Sequence, residues 1–474
     1  MKKIYALTAV AVITFGTTSW GDGFTLDDIP EIGNKKAINV ALEAGGGADL
    51  IIPFLEAFSK KTGVPVTHES MVFATLYSKE IIELQSGTGA YDLVVTETSW
   101  TNEWQDYLAP METLANTYDP EGIEGFKEYA QGHDSGILRM ASTRDGVLVG
   151  APYYTYTMLN IFRDDLMSDE GERNAFKAKF GYDLAAPTSN QQLMDMAQFF
   201  TRGAGEKLKG VELEKPFYGV SLMAGRYPHV QDEVSAILWG TDGRWARTIR
   251  DASGAVTGFE ITEEDMIKLE NAFQFYRDLM QFAPPGSENA FWDFATAQFV
   301  DGNTAMIPYM YSPLWNWSTD VINVGGKNGG APVPGSRPYT GAFHFAPSKD
   351  SENLEAAYWL LKYIGSEKTQ TEMVNSGWSS ARRDSIENCD TSNDNAHRNC
   401  GWINSLTTQW DAQASDVESY LHFNSKAFGK LYEQMTIIAH ENAVGMKTPA
   451  QSVKAWRKAF GRYQKKFDDV SVKN

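Results

Sequence analysis

Short apolar runs and helical spacing alternate in the first structured part of the chain. Ile38–Leu42 is typical of a β-strand, and a glycine turn at 45–47 follows it. Apolar residues over 50–58 recur at helical spacing, and Gly63 after two lysines is typical of a helix end. The apolar run at 64–66 then resumes as strand. This order predicts a βαβ unit, and therefore a parallel sheet covered by helices.

The alternation continues along the chain. The pattern predicts a helix over 75–84, strands over 91–95, 146–152 and 158–162, and helices over 189–200, 263–282, 356–364 and from 425 onward. No internal repeat and no low-complexity linker interrupts it. We therefore expect α/β lobes that are joined by several close crossings of the chain.

The N-terminus has the three regions of a secretory signal. Two lysines follow Met1, an apolar stretch runs from Ala6 to Phe15, and small and polar residues occupy 16–23. The apolar stretch is shorter than the roughly 20 residues that span a bilayer. We therefore predict a cleaved signal peptide over 1–21 and a periplasmic protein.

Charge narrows the range of partners. The chain has 474 residues and a formal net charge of −19, which becomes −21 when Lys2 and Lys3 are removed with the signal. Such an acidic protein repels nucleic acid and anionic membrane surfaces, and it has no basic cluster that would bind them. Its hydrophobic content of 42% is sufficient for well-packed cores.

The only two cysteines are Cys389 and Cys400, in a polar segment. An even number of cysteines in an exported protein predicts a disulfide, here across a short loop. The alternative is a metal site that uses both thiols and His397. A fourth ligand at usual zinc spacing is missing, so we favour the disulfide.

Five segments stand in a fixed order along the chain, at 53–66, 91–111, 146–166, 299–306 and 341–385. In this order they resemble the family of extracellular solute-binding proteins of ABC importers, of the carbohydrate type, which includes maltose-binding protein. The first reads PFLEAFSKKTGVPV and the fourth FVDGNTAM. The chain departs from the family at Ser380, where many sugar-binding members carry proline, and at 387–415, which looks like an insertion.

The resemblance implies a two-lobed α/β fold of the periplasmic-binding-protein type. Each lobe would have a mostly parallel sheet flanked by helices, and the C-terminus would be helical. The implied division is 36–151 for lobe 1, 152–302 for lobe 2, 303–347 for lobe 1 again and 348–474 for lobe 2 again. The crossings between lobes would lie near Ala151–Pro152, Gly302–Met306 and Phe345–Asp350.

The resemblance also implies a function. A protein of this family captures a sugar or related polyol by hinge closure and delivers it to the transmembrane subunits of an ABC permease. It acts as a monomer, without a cofactor and without catalysis. The enzyme motifs Gly-x-Ser-x-Gly and His-Glu-x-x-His and the P-loop do not occur in the sequence.

A sugar presents hydroxyl groups and an apolar face, so its site should combine aromatic rings with charged and polar side chains. Alternation along a strand places Tyr154 and Tyr156 on one face, and Glu97 follows the strand at 91–95. With the positions at which the resemblance implies the cleft, the complete set of expected ligand-binding residues is Glu43, Thr96, Glu97, Trp100, Tyr154, Tyr156, Arg226, Tyr227, Asp232, Trp239, Tyr311, Trp315, Gly341, Trp378 and Arg382.

Other ligands remain open on the sequence alone. A polyamine site would pair carboxylates with aromatic walls, and a ferric site would use clustered tyrosines such as those over 153–156. Arg226 and Arg382, if both faced the cleft, would disfavour a cation and allow an acidic or sulfated sugar. A secreted glycoside-active enzyme is a further alternative, because carboxylates are numerous.

Overall fold

The strands form four separate sheets. A computed structural model describes residues 23–416 and 419–467, so the expected signal peptide lies outside the described residues. In chain order the strands are β1 Ile38–Glu43, β2 Val66–Met71, β3 Leu93–Glu97, β4 Ala151–Thr155, β5 Met158–Arg163, β6 Lys207–Leu208, β7 Val211–Glu212, β8 Arg247–Arg250, β9 Val256–Glu260, β10 Met306–Tyr311, β11 Asn328–Ala331 and β12 Ala342–Pro347.

Helices cover and connect these sheets. They are α1 Gly46–Thr62, α2 Phe73–Ser86, α3 Thr101–Trp104, α4 Met111–Tyr118, α5 Gly122–Ala130, α6 Ser135–Met140, α7 Asp164–Met167, α8 Glu170–Phe180, α9 Asn190–Phe200, α10 Pro228–Trp239, α11 Glu263–Leu279, α12 Trp292–Val300, α13 Trp315–Ser318, α14 Leu354–Ile364, α15 Glu367–Asn375, α16 Arg383–Glu387, α17 Ala396–Cys400, α18 Ile403–Gln413, α19 Phe428–Ala443 and α20 Pro449–Lys466. In the described part of the chain, none of them has the length and apolar character needed to cross a membrane.

The first sheet has the order β2-β1-β3-β12-β4. Strand β1 is parallel to β2 and to β3, which confirms the predicted βαβ unit. Helix α1 ends at Gly63, whose left-handed φ of 72° suits a glycine that stops a helix. Strand β12 comes from much later in the chain and runs antiparallel to both β3 and β4.

The sheet of the second lobe differs from the expectation. Its order is β10-β5-β11, and both neighbours of β5 are antiparallel to it, so the prediction of a mostly parallel sheet in each lobe is wrong here. Strand β10 is buried at every position. A fully buried strand is a continuous apolar run whichever direction its neighbour takes, so the pattern carried no information on direction.

Two hydrophobic cores define the lobes. The core of the first lobe contains β1–β4, α1–α5, β12 and α14, whereas that of the second contains β5, β10, most of α7–α13 and the helical C-terminus from α18. This packing differs from the expected division at two segments. Strand β10 pairs with β5 and not with the first sheet, and α14 packs in the first core although 348–474 was assigned to lobe 2.

The positions of the crossings follow from these cores. The chain leaves the first core after β4 and enters the second with β5; it returns between Tyr339 and Phe343, and leaves again between Trp378 and Ile386. The first crossing therefore lies a few residues after the expected Ala151–Pro152. The segment 302–306 connects two parts of the second core and is not a crossing.

The helical C-terminus is confirmed and closes the second lobe. Helices α19 and α20 pack against each other and against α10 and α11. Trp456 of α20 is fully buried, and its Nε1 donates a hydrogen bond to the carbonyl of Trp245 at 2.8 Å. Large buried aromatics of this kind contribute most of the packing energy of a core.

Candidate functional site

A cavity of about 350 Å³ lies between the two lobes. The first lobe contributes the C-terminal end of β1, the end of β4 and the segment 376–378, and the second lobe contributes the first turns of α10, the end of β10 and the start of α12. Ligands of α/β proteins commonly bind at the carboxyl ends of strands and between lobes. The cavity therefore has the geometry of a cleft with one wall from each lobe.

Aromatic rings form the wall on the first lobe. Trp378 lies 4.5 Å from Tyr154 between ring centroids, and Phe343 stacks on Tyr154 at 5.6 Å. Phe73 lies beside them and stacks on Trp100 at 5.5 Å. These rings offer flat apolar surfaces against which a small molecule can pack.

The second lobe supplies a wall of mixed character. His229 packs on Phe291 with ring centroids 4.3 Å apart, and edge-on against Tyr311 at 5.1 Å. Burial lowers the pKa of His229 to about 3, so its imidazole is neutral at physiological pH. Tyr311 in turn lies edge-on to Tyr156 across the boundary between the lobes, at 5.7 Å.

Asp232 is the buried acceptor of the second lobe. The hydroxyls of Tyr311 and Tyr432 both donate to its carboxylate, the second at 3.1 Å. Burial raises the pKa of Asp232 well above its ordinary value, and these two hydrogen bonds act in the opposite direction. A carboxylate held by neutral donors at a cavity wall is a suitable acceptor for a ligand hydroxyl.

Glu97 lies behind the wall and positions Tyr156. The Tyr156 hydroxyl and the backbone N–H of Ser99 both donate to its carboxylate, the latter at 2.8 Å. Burial raises the pKa of Glu97, and these hydrogen bonds oppose the shift. A side chain at Gly341 would meet the Tyr156 ring at about 2.0 Å, so only glycine leaves room for this tyrosine.

The structure brings together six of the fifteen predicted site residues along the cavity. They are Glu43, Tyr154, Tyr156, Asp232, Tyr311 and Trp378. Three more support the wall from behind, namely Glu97 and Gly341 against Tyr156, and Trp100 against Phe73. Thr96 is buried in β3 next to Glu97 and does not line the cavity.

The remaining predicted residues lie outside the cavity. Arg226 is exposed, and Tyr227 is 49% exposed with its ring centroid 4.8 Å from that of Phe291. Trp239 stacks on Tyr339 in the second core at 5.6 Å. Trp315 is buried and donates through Nε1 to the carbonyl of His397 at 3.1 Å.

Arg382 has a structural role in place of the predicted contact. It forms an ion pair with Asp384 at 2.5 Å, and its Nη1 donates to the carbonyl of Tyr129 at 2.8 Å. The bond to Tyr129 anchors the segment after Trp378 to helix α5. With Arg226 on the surface, neither arginine faces the cleft, so the condition for an acidic or sulfated ligand is not met.

Sequence reasoning missed several cavity residues. The missed side chains are aromatic or amide groups distant from one another along the chain: Phe73, His229, Phe291, Trp292, Asn316, Phe343 and Tyr432. His229 stands two residues after the predicted Tyr227 in the same loop, so this proximity was an available signal. The others look like ordinary core residues in the sequence, and only the packing of the two lobes identifies them.

The predicted disulfide between Cys389 and Cys400 is confirmed. It removes both thiols from the alternative metal site, and His397 interacts instead with Asn328 at 2.7 Å. The loop that it closes lies beside the cavity rim. Asn399 Nδ2 donates to the carbonyl of Asn375 at 2.5 Å, immediately before the lining segment 376–378.

Replacing both cysteines with serine is expected to lower the free energy of unfolding by about 2–3 kcal/mol, because the unfolded chain gains the freedom that the closed loop removes. Urea unfolding of the wild type and the variant measures this difference. Reducing agent should shift the wild type to the midpoint of the variant and leave the variant unchanged. Equal midpoints of the oxidised wild type and the variant would contradict the prediction.

Residues 40–371 match the sequence model of a family described as bacterial extracellular solute-binding protein. No curated protein sequence matches the chain significantly.

Solved structures match almost the whole chain at low identity. Maltose-bound MalE3 of T. maritima is 17% identical with a TM-score of 0.65, covering 89% of this chain and 98% of that one. A solute-binding protein of an ABC transporter from Agrobacterium radiobacter K84, in complex with ribitol, is 19% identical with a TM-score of 0.66, covering 91% and 99%. A third, from Agrobacterium vitis S4 with bound D-mannitol, is 18% identical with a TM-score of 0.66, covering 92% and 100%. These likenesses show the two-lobed fold.

Proposed function

The chain belongs to the family of bacterial extracellular solute-binding proteins, and on that premise we propose that it captures a sugar or a related polyol and delivers it to an ABC permease. The observation that carries the proposal is the cavity between the lobes. It combines aromatic faces from the first lobe with the Asp232 carboxylate and tyrosine hydroxyls from the second. A polyhydroxylated molecule has the apolar and hydrogen-bonding surfaces that match both walls.

The proposed mechanism is hinge closure. A ligand in this cavity would contact Tyr154 and Trp378 on one side and Asp232 on the other. It makes all of these contacts only when both lobes surround it. It therefore favours the closed form by the free energy of the contacts that the second lobe adds. The closed form is the one that the permease would recognise, in the periplasm.

The ligand class has support from the related structures. The two Agrobacterium proteins were solved with ribitol and D-mannitol, and the T. maritima protein with maltose. The family and these neighbours are ligand-binding transport proteins, so we propose binding without turnover. In the described residues, no three His, Cys, Asp or Glu side chains are grouped so that they could hold a metal ion.

Thermal unfolding of the mature protein tests the proposal. Ribitol, D-mannitol and maltose are the probes for the proposed ligand class, and spermidine and Fe(III) represent the alternative ligand classes. A ligand at 100 times its Kd stabilises the folded form by about 2.7 kcal/mol, which is a clear shift of the melting temperature. We expect the shift with a sugar or polyol, and the same molecule recovered unchanged after incubation. A shift with spermidine or Fe(III) alone, or conversion of a probe to product, would contradict the proposal.

A further inference from the structure

The cavity between the lobes holds carboxyl groups that have no cation beside them in the described part of the chain. Glu43 and Asp232 line it, and Glu97 lies directly behind Tyr156. Among the described residues, those that line the cavity include no lysine and no arginine. His229 lines it as well, but burial lowers its pKa to about 3 and keeps it neutral.

Two buried carboxylates elsewhere in this protein have a cation beside them, whereas Glu80 and Glu233 are buried without one among the described residues, and burial raises their pKa values. Asp119 is paired with Lys362 at 2.6 Å, and Glu172 with Arg202 at 2.7 Å. A carboxylate that is removed from water needs such a cation to stay ionised, because the charged form is costly in a low dielectric. At the cavity the compensating charge must come from outside the chain if the carboxylates are to remain ionised.

Glu43 is the carboxylate that lacks a partner. It ends β1, and within residues 23–416 and 419–467 no group donates a hydrogen bond to its side chain. Burial, together with the charge of Glu97, raises the pKa of Glu43 to about 7. Asp232, by contrast, already accepts hydrogen bonds from two tyrosine hydroxyls. Glu43 is therefore the position that gains most from a cation.

The surroundings of Glu43 also favour a cation. Tyr154 and Glu43 line the same cavity, and burial together with the charge of Glu43 raises the pKa of Tyr154. Trp378 packs on Tyr154 with ring centroids 4.5 Å apart. These electron-rich rings line the same cavity as Glu43, and rings of this kind attract cations.

We propose that the ligand is a polyhydroxylated amine, such as an amino sugar or an amino-polyol, whose ammonium group binds Glu43 while its hydroxyls reach Asp232. The inference rests on the proposed function and narrows its ligand class. Neutral hydroxyls can still donate to either carboxylate, but only an ammonium supplies charge as well. The same charges exclude uronic and sulfated sugars, because an anionic group would face Glu43 without a cation to hold it.

Two probes that differ only in one charged group test whether the protein prefers an ammonium to a hydroxyl. D-glucamine and D-glucitol share one carbon chain and differ by an ammonium in place of a hydroxyl, and calorimetric titration at about pH 8 keeps Glu43 ionised. We expect the wild type to bind D-glucamine at least about 30-fold more tightly, which is the usual gain of a charge-assisted hydrogen bond. In Glu43→Gln the preference should fall to about threefold or less, because the amide has the same shape without the charge.

Glu56→Gln is the matched control, since this exposed glutamate of α1 makes the same change of net charge outside the cavity. It should keep the full preference for the amine. Equal binding of D-glucitol and D-glucamine by the wild type would overturn the inference and leave the proposed function intact. Unchanged preference in Glu43→Gln would also overturn it. Spermidine bound at least as tightly as D-glucamine would instead overturn the polyol-binding function.

Discussion

Replacing Lys362 with methionine is expected to lower the free energy of unfolding by about 3–5 kcal/mol. Lys362 of α14 and Asp119 form an ion pair at 2.6 Å in the first lobe, and their side chains are only 4% and 3% exposed. The Tyr358 hydroxyl donates to the same carboxylate at 2.7 Å. Methionine fills the space of the lysine stem but leaves the Asp119 charge buried without its cation. Urea unfolding followed by tryptophan fluorescence measures the loss.

Two further variants separate charge burial from side-chain removal. Lys127→Met breaks the ion pair with Glu124, whose members are 60% and 77% exposed, and should have a far smaller effect because water solvates the remaining carboxylate. The double variant Lys362→Met with Asp119→Asn removes both charges and should recover much of the stability. If it were no more stable than Lys362→Met alone, an uncompensated charge would not be the cause.

Local patterns predicted the local structure well. The run at 38–42 became β1, the helical spacing at 50–58 became α1, and the glycine at 63 ends that helix in the left-handed conformation. Each of these features depends on residues within a few positions of one another. The resemblance then supplied the two-lobed order, because its five segments place strands and helices without any knowledge of their contacts.

Long-range pairing could not be predicted in the same way. Strand β10 joins β5, and β12 enters the first sheet between β3 and β4. Both are fully buried runs, so their side chains look alike to any pattern of polar and apolar positions. Their partners are set by which surfaces remain open after the rest of the chain has folded. For that reason the division into lobes was wrong at 303–341 and at α14.

The same difference between local and long-range information applies to the residues of the candidate site. Tyr154 and Tyr156 were predicted from alternation along a strand and from the resemblance, and Glu97 because it follows a strand at the edge of the sheet where ligand sites form. Arg382 was misassigned because its true partners, Asp384 and the carbonyl of Tyr129, satisfy it inside the first lobe. A charged residue near a cleft has no local feature that distinguishes an ion pair from a ligand contact.

Truncation of Trp378 to alanine is expected to weaken binding of the sugar or polyol by at least about 30-fold, since a buried aromatic contact of this kind contributes roughly 2 kcal/mol or more. Trp378 lines the cavity in the segment that joins the lobes, and its Nε1 donates to the carbonyl of Tyr153 at 3.1 Å. Its loss removes both the stacking surface and the hydrogen bond that holds the rim. Calorimetric titration with the probe that binds best in the thermal screen measures the change.

Two tryptophan-to-phenylalanine variants make that experiment specific. Trp378→Phe keeps a ring at the cavity wall and loses the Nε1 donor, so its affinity should fall between the wild type and the alanine variant. Trp239→Phe changes a buried tryptophan of the second core that stacks on Tyr339, away from the cavity, and should leave the affinity within about twofold. If Trp239→Phe weakened binding as much as Trp378→Phe, the loss of affinity would come from weaker packing within the lobes. A direct contact between Trp378 and the ligand would then not be the cause. A loss confined to Trp378 would identify this rim as the surface on which the ligand rests when the lobes close.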